Sequence, residues 1–351
     1  MRKIIFALLV LIFTLLIGAC APSARPAETQ SITVVTHDSF AISEELIADF
    51  ESEHDVKVVF VRGGDAGTTL NQAILTKENP VADVFFGLDN TFLTRALEEE
   101  LFIAYDSPML AHIPAAFKLD PGNFALPIDY GDVCINYDKA YFADHNLPVP
   151  SSLKALTEPQ YAGLLVVQNP ATSSPGLSFL MATIAHFGED GYLDYWAALK
   201  HNDVVVVSDW ETAYYTNFSG SSGRGPQPMV VSYGSSPAAE VIFAETELAQ
   251  APTGSIIGPD TCFRQIEFVG ILKNAANPDQ AKIFVDFMLS VPFQEDIPLQ
   301  MFVFPVNPQA SLPQAFLEHV DTPDQPASLP PELIDAKREA WINAWLETIL
   351  D

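Results

Sequence analysis

The sequence predicts an α/β chain of two lobes, each a mainly parallel sheet flanked by helices, joined by crossing strands. Three observations predict it. Short apolar strands alternate with helical patterns along most of the chain. Two extended runs, 124–137 (FALPIDYGDVCINY) and 262–272 (CFRQIEFVGIL), are long enough to cross from one lobe to the other. The segment between them carries a strand–helix pattern of its own.

Residues 31–36 (SITVVT) read as the first strand. Ile42, Leu46, Ile47 and Phe50 then recur at helical spacing. A second strand at 56–61 (VKVVFV) is followed by a helical pattern at 70–77. Residues 82–88 (ADVFFGL) form a third strand, apolar enough to be buried on both faces. After the first long run come a strand at 164–168 and helices at 177–187 and 191–200. A strand at 203–207, a helix at 210–218 and a strand at 229–233 follow. The organisation expected is lobe 1 over 31–130, lobe 2 over 131–262, and a return to lobe 1 with C-terminal helices over 263–351. Open α/β sheets bind ligands beyond the carboxyl ends of their strands, which places the expected site in the cleft between lobes.

The N-terminus bounds the compartment. Arg2 and Lys3 precede an apolar run from Ile4 to Ala19 that ends in Ile17-Gly18-Ala19-Cys20. This is the pattern of an export signal over 1–19; the run is shorter than the ~20 residues of a membrane-spanning helix. Cys20 after small residues resembles a lipobox, with Cys20 as lipid attachment point and residues 20–30 as a flexible tether; a plain signal peptide with an incidental Cys is the alternative. Either way the protein is expected outside the cytoplasm, periplasmic or at the cell surface.

Loss of residues 1–19 removes two cations and leaves 15 Lys+Arg against 45 Asp+Glu, a net charge of −30. That charge excludes nucleic acid as a partner. It favours cationic ligands, although an acidic surface also serves solubility. Cys134 and Cys262, the remaining cysteines, either pair outside the cell or stay as buried thiols. No Cys/His cluster has metal-ligand spacing, and no cofactor is expected.

Polar clusters follow several strands: Thr36-His37-Asp38-Ser39-Phe40, the glycine-rich turn Gly63-Gly64-Asp65-Ala66-Gly67-Thr68, Thr172-Ser173-Ser174-Pro175-Gly176 and Ser232-Tyr233-Gly234-Ser235-Ser236-Pro237. Ser174-Pro175 and Ser236-Pro237 suit helix starts, with the serine as cap and the proline in the first turn. Such termini also attract anions. Trp210, between Asp209 and Glu211, is either a packing residue or a platform for a flat cation. The adjacent Tyr214 and Tyr215 admit a ferric site, but neighbouring helical residues point about 100° apart. Ser151 and Lys154 fit S-x-x-K without its companion motifs, so a helix cap is the simpler reading than a serine hydrolase. G-x-S-x-G and H-E-x-x-H are absent.

At these clusters the chain resembles the thiamine-binding proteins of bacterial ABC importers, in the group-II solute-binding superfamily. The resemblance runs in order over most of residues 32–346. It rests on Thr36-His37-Asp38-Ser39-Phe40, Gly87-Leu88-Asp89-Asn90, Asp129-Tyr130-Gly131, Asn169-Pro170-Ala171-Thr172-Ser173-Ser174-Pro175-Gly176 and Trp210-Glu211-Thr212-Ala213-Tyr214. Ser232-Tyr233, Phe304-Pro305-Val306-Asn307 and Ala340-Trp341-Ile342 complete it. It implies a type II periplasmic-binding-protein fold and a monomeric receptor that takes up thiamine or a thiamine phosphate between its lobes. The receptor would deliver that ligand to a membrane permease, with no bond made or broken. By the same resemblance Asp65 offsets the thiazolium charge, Trp210, Tyr233 and Phe302 pack around the rings, and Ser173 and Ser174 hold the hydroxyl or phosphate end. His37 stands where the family usually has Tyr, and Phe302 where it usually has Trp. The rival ligands are ferric iron, through Tyr214 and Tyr215, and a polyamine, through carboxylates and Trp210.

Overall fold

The computed structural model describes residues 30–221 and 225–350; the export signal, Cys20 and the tether up to residue 29 lie outside the described residues. In chain order the strands are β1 (Gln30–Thr36), β2 (Val56–Arg62), β3 (Val84–Asp89), β4 (Phe102–Ile103), β5 (Leu126–Asp138) and β6 (Leu165–Gln168). They continue as β7 (Val205–Val207), β8 (Met229–Tyr233), β9 (Thr253–Ile256), β10 (Phe263–Leu272) and β11 (Phe304–Pro305). They are joined in the order β2-β1-β3-β10-β5-β8-β6-β7, with β4 on β10 and β9 and β11 on β5.

The parallel pairs lie toward the two ends of that order: β1 with β3 at one, β6 with β8 and β7 at the other. Every antiparallel pair involves β5 or β10. Two α/β lobes therefore share two long crossing strands. The length of β5 makes this possible: thirteen residues at ~3.3 Å each reach roughly 40 Å. Its first part pairs with β11 at Asp129 and Tyr130, and its last part with β8 and β9 from Val133 to Asp138.

Apolar cores lie on both sides of the crossing. Phe40, Phe50, Phe284 and Phe293 close one around β1 and β3. Phe179, Trp196 and Trp345 anchor the other, each large apolar side chain contributing about 2–3 kcal/mol when fully buried. The C-terminal helix Pro331–Leu350 packs on the helix Tyr192–His201, where Trp345 meets Trp196 edge-on at 5.4 Å. Lys200 Nζ also donates to the Thr348 carbonyl at 2.9 Å.

Two elements differ from the sequence reading. The helix expected at 70–77 begins earlier, at Ala66, because Asp65 caps it; the glycine at 67 disguises that first turn. The helix expected at 210–218 is a π-helical turn, Thr212–Asn217, closed by the Phe218 N–H donating to Ala213 O at 2.9 Å. Such turns are uncommon and concentrate near functional sites.

Cys134 and Cys262 face each other across β5 and the start of β10, and form a disulfide with Cα atoms 4.3 Å apart. Of the two states open to these thiols, the paired one is observed. The bond joins positions 128 apart in the sequence. Replacing both cysteines with alanine should lower unfolding free energy by about 2–4 kcal/mol, measured by guanidinium denaturation; an unchanged midpoint would show that the bond contributes nothing to stability.

Candidate functional site

A cavity of about 660 Å³ opens where the two lobes meet, within the range of small-molecule sites. His37, Asp65, Ser174, Trp210, Tyr233 and Phe302 all line it. Ser173 does not. Its side chain is fully buried, near the Asp65 carboxyl rather than in the cavity.

His37 lies immediately beyond β1, on a segment held by the Asp38 N–H to Gly64 O and the Gly63 N–H to Thr36 O, both 2.9 Å. Gly87 makes room for the imidazole. It sits at φ +96°, and a Cβ there would fall 2.3 Å from His37 Cδ2. The His37 Nε2 faces Glu267 Oε2 at 3.5 Å. Burial alone would lower the His37 pKa, but the Glu267 carboxylate, helped by Asp65 and Asp38, reverses this and leaves it above the ordinary value.

Asp65 is the N-cap of the helix Ala66–Leu75. Its Oδ1 accepts from the Ala66 N–H at 2.7 Å and from the Ser174 N–H at 2.9 Å, so one carboxyl satisfies free amides at two helix starts. This corrects the serine-capping expectation. Ser174 Oγ donates instead to Asp89, and Ser236 Oγ lies 3.0 Å from Ser232 Oγ. Ser235 Oγ donates to the Phe302 carbonyl. Each serine is used for a tertiary contact, and at Ser174 the capping role passes to Asp65.

The aromatic wall is mutually braced. Trp210 Nε1 donates to Ser232 Oγ at 2.9 Å, and its indole stacks on Tyr214 at 5.0 Å and 17°. Tyr233, 6.4 Å from Trp210, lies over Gly131, where any Cβ would fall 2.6 Å from its ring. Phe302 holds φ +60°, a conformation that costs a non-glycine residue roughly 1–3 kcal/mol, and meets Phe243 edge-on at 5.0 Å.

The two tyrosines proposed for ferric iron are not arranged for it. Tyr214 OH donates to Glu240 Oε1 at 2.7 Å. Burial, and then Glu240, push its pKa well up, so it remains a phenol. The Tyr215 ring stands at 85° to it. Among the described residues, no group of three or more His, Cys, Asp or Glu side chains is placed to hold a metal. Ser151 and Lys154 are exposed and do not line the cavity.

Sequence reasoning missed Arg62, Glu240, Phe243 and Glu267, which also line the cavity. Only Glu267 left a signal: a carboxylate set between Ile266 and Phe268 in a long strand. With Asp38, Asp65, Glu211 and Glu240 it makes five acidic lining residues against Arg62. The cavity is thus aromatic on its walls and negative in sign, suited to a planar cation.

Burial pushes the Asp65 carboxyl up to about 7, against the pull of the Ser174 N–H and the Ser173 hydroxyl. An acid whose native pKa exceeds its unfolded value favours the native state when protonated. Its contribution to stability therefore falls as pH rises from about 4 to about 7. Asparagine also caps helices, so Asp65→Asn should gain more stability over the wild type at pH 8 than at pH 4. Urea unfolding at both pH values checks this; an equal difference at the two would contradict a raised Asp65 pKa.

The profile of a family described as bacterial extracellular solute-binding protein matches residues 79–325. The chain is similar to the thiamine-binding periplasmic protein of Brucella suis biovar 1 (strain 1330), 31% identical over 334 residues that cover 93% of each chain. It is 29% identical to the thiamine-binding periplasmic protein of Escherichia coli (strain K12), over 91% of this chain and 93% of that one. The solved structure of a periplasmic thiamin binding protein superposes with a TM-score of 0.80 at 27% identity, covering 93% of this chain and 98% of the other.

Proposed function

We propose, for a chain that belongs to the bacterial extracellular solute-binding protein family, that the interlobe cavity binds thiamine or a thiamine phosphate and that the protein delivers it to the permease of an ABC importer. The observation that carries this reading is the pairing of an aromatic wall, Trp210 with Tyr233 and Phe302, with five acids and a single arginine around about 660 Å³. Thiamine presents a flat cationic thiazolium, a flat aminopyrimidine and a short hydroxyethyl arm. Stacking of the cation on an indole contributes ~0.5–2 kcal/mol, and exclusion of water between the lobes strengthens its attraction to Asp65. The relatives named for thiamine support the same ligand.

Ser174, at the start of the helix Ser174–Phe187, would meet the hydroxyl or phosphate end; Ser173 acts behind it through Asp65. Residues 1–19 direct export, Cys20 carries the lipid that tethers the protein to the membrane, and the receptor works as a monomer. It makes and breaks no bond. Its ligand stays chemically intact through capture and release.

Calorimetric titration with thiamine, its monophosphate and its diphosphate tests the reading. Saturable binding of at least one is expected, and silence with all three would overturn it. Trp210→Ala should weaken binding by at least ~1 kcal/mol, about fivefold. Affinity should also rise between pH 6 and pH 8, because deprotonation of Asp65, near pH 7, and of His37, above its ordinary value, each makes the cavity more negative. A flat pH profile would remove both groups from contact with the cation.

A further inference from the structure

A row of three acids runs beneath the cavity. The register of β10 sets Glu267 opposite Asp89 of β3 on one side and opposite Asp129 of β5 on the other. Directly paired residues of antiparallel strands project from the same face, and like charges there are destabilising. All three are buried, so the row persists only if its members are neutralised differently.

Asp89 is satisfied by donors: the Thr91 N–H at 2.6 Å, the Thr91 hydroxyl at 2.5 Å and the Ser174 hydroxyl. Asp129 has none. Neither of its carboxyl oxygens meets a protein donor N–H or hydroxyl, and its titratable neighbour is Glu267. A fully buried carboxyl in that position keeps its proton: burial, and then Glu267, raise its pKa well above the ordinary value. Glu267 alone of the three lines the cavity. One of its oxygens accepts from Gln265 Nε2 at 3.1 Å, and the other faces His37. Tyr233 is a further titratable group that feels the Glu267 charge, and Asp65 lines the same cavity.

Resting on the reading of the cavity as a cation site, we infer that Glu267 is the residue that selects a charged heterocycle over an uncharged one of the same shape, and that protonated Asp129 is the positioning residue that holds its carboxylate toward the ligand. Asp65 spends its Oδ1 on two backbone amides. Glu267 accepts from no backbone amide: it meets the Gln265 side-chain amide, the titratable His37 imidazole and, from behind, Asp129, so its charge is the more available to a ligand. The Asp129 proton, donated to Glu267, fixes the rotamer from behind.

The test compares thiamine with its neutral isostere, in which a thiophene replaces the thiazolium, by calorimetry on the full exported chain. Glu267→Gln keeps shape and removes charge; it should weaken thiamine binding at least tenfold and the isostere less than threefold. Asp129→Asn, which mimics the protonated acid and can still donate, should keep the wild-type preference. Asp129→Leu should lose most of it. An unchanged preference in Glu267→Gln, or equal losses for both ligands, would overturn the inference while leaving the receptor reading intact. Failure of the wild type to bind thiamine would overturn that reading itself. If Glu267→Gln does not fold, the Asp129 pair decides: the same preference in Asn and Leu variants would refute the positioning role.

Discussion

The antiparallel pairing of β5 with β10 is the constraint on which the rest of the molecule depends. Both lobes hang from these two strands, and their register fixes which side chains reach the cavity from below. Shifting it by one residue would turn Glu267 and Asp129 to the opposite face and bring apolar neighbours into the cavity floor. The buried disulfide at one end of the pair and the bidentate Arg264–Asp132 contact, 2.9 and 2.8 Å, beside it hold that register from two directions.

Above this floor the side chains act as a set rather than as independent contacts. Trp210 is held by Ser232 and by the Tyr214 ring, and Tyr214 by Glu240. Tyr233 lies flat because Gly131 beneath it has no side chain, and His37 turns inward because Gly87 has none. A preformed wall loses little freedom when a ligand arrives, so more of each contact appears as affinity. The acids follow the same logic. Asp65 is tied by two backbone donors and Asp89 by three donors, whereas Glu267 accepts from the Gln265 side chain and faces His37.

Much of this was legible in the sequence, for identifiable reasons. The strands at 84–89, 165–168 and 229–233 are short apolar runs between turn residues, and local pattern locates them. The long crossing strands betrayed themselves by length. His37, Asp65, Ser174, Trp210 and Tyr233 stand out in the sequence because they lie at the ends of elements, whereas Phe302 entered through the family resemblance alone; all six line the cavity. Glu267 was not found because its importance lies in what sits opposite, and strand register across 138 positions is not a local property. The serines were misread for a similar reason. Ser174 has the right residues around it for a cap, yet its own hydroxyl turns to Asp89 and its backbone N–H is taken by Asp65, 109 positions away.

The Cys134–Cys262 bond has a topological effect beyond its effect on the crossing strands. Everything from residue 134 to residue 262 becomes a covalent ring. A peptide cut at a single place inside that ring leaves one connected molecule, with both ends of the break still fastened to the two central strands. For a protein exported into a space where proteases act on exposed loops, an isolated nick there need not release a fragment.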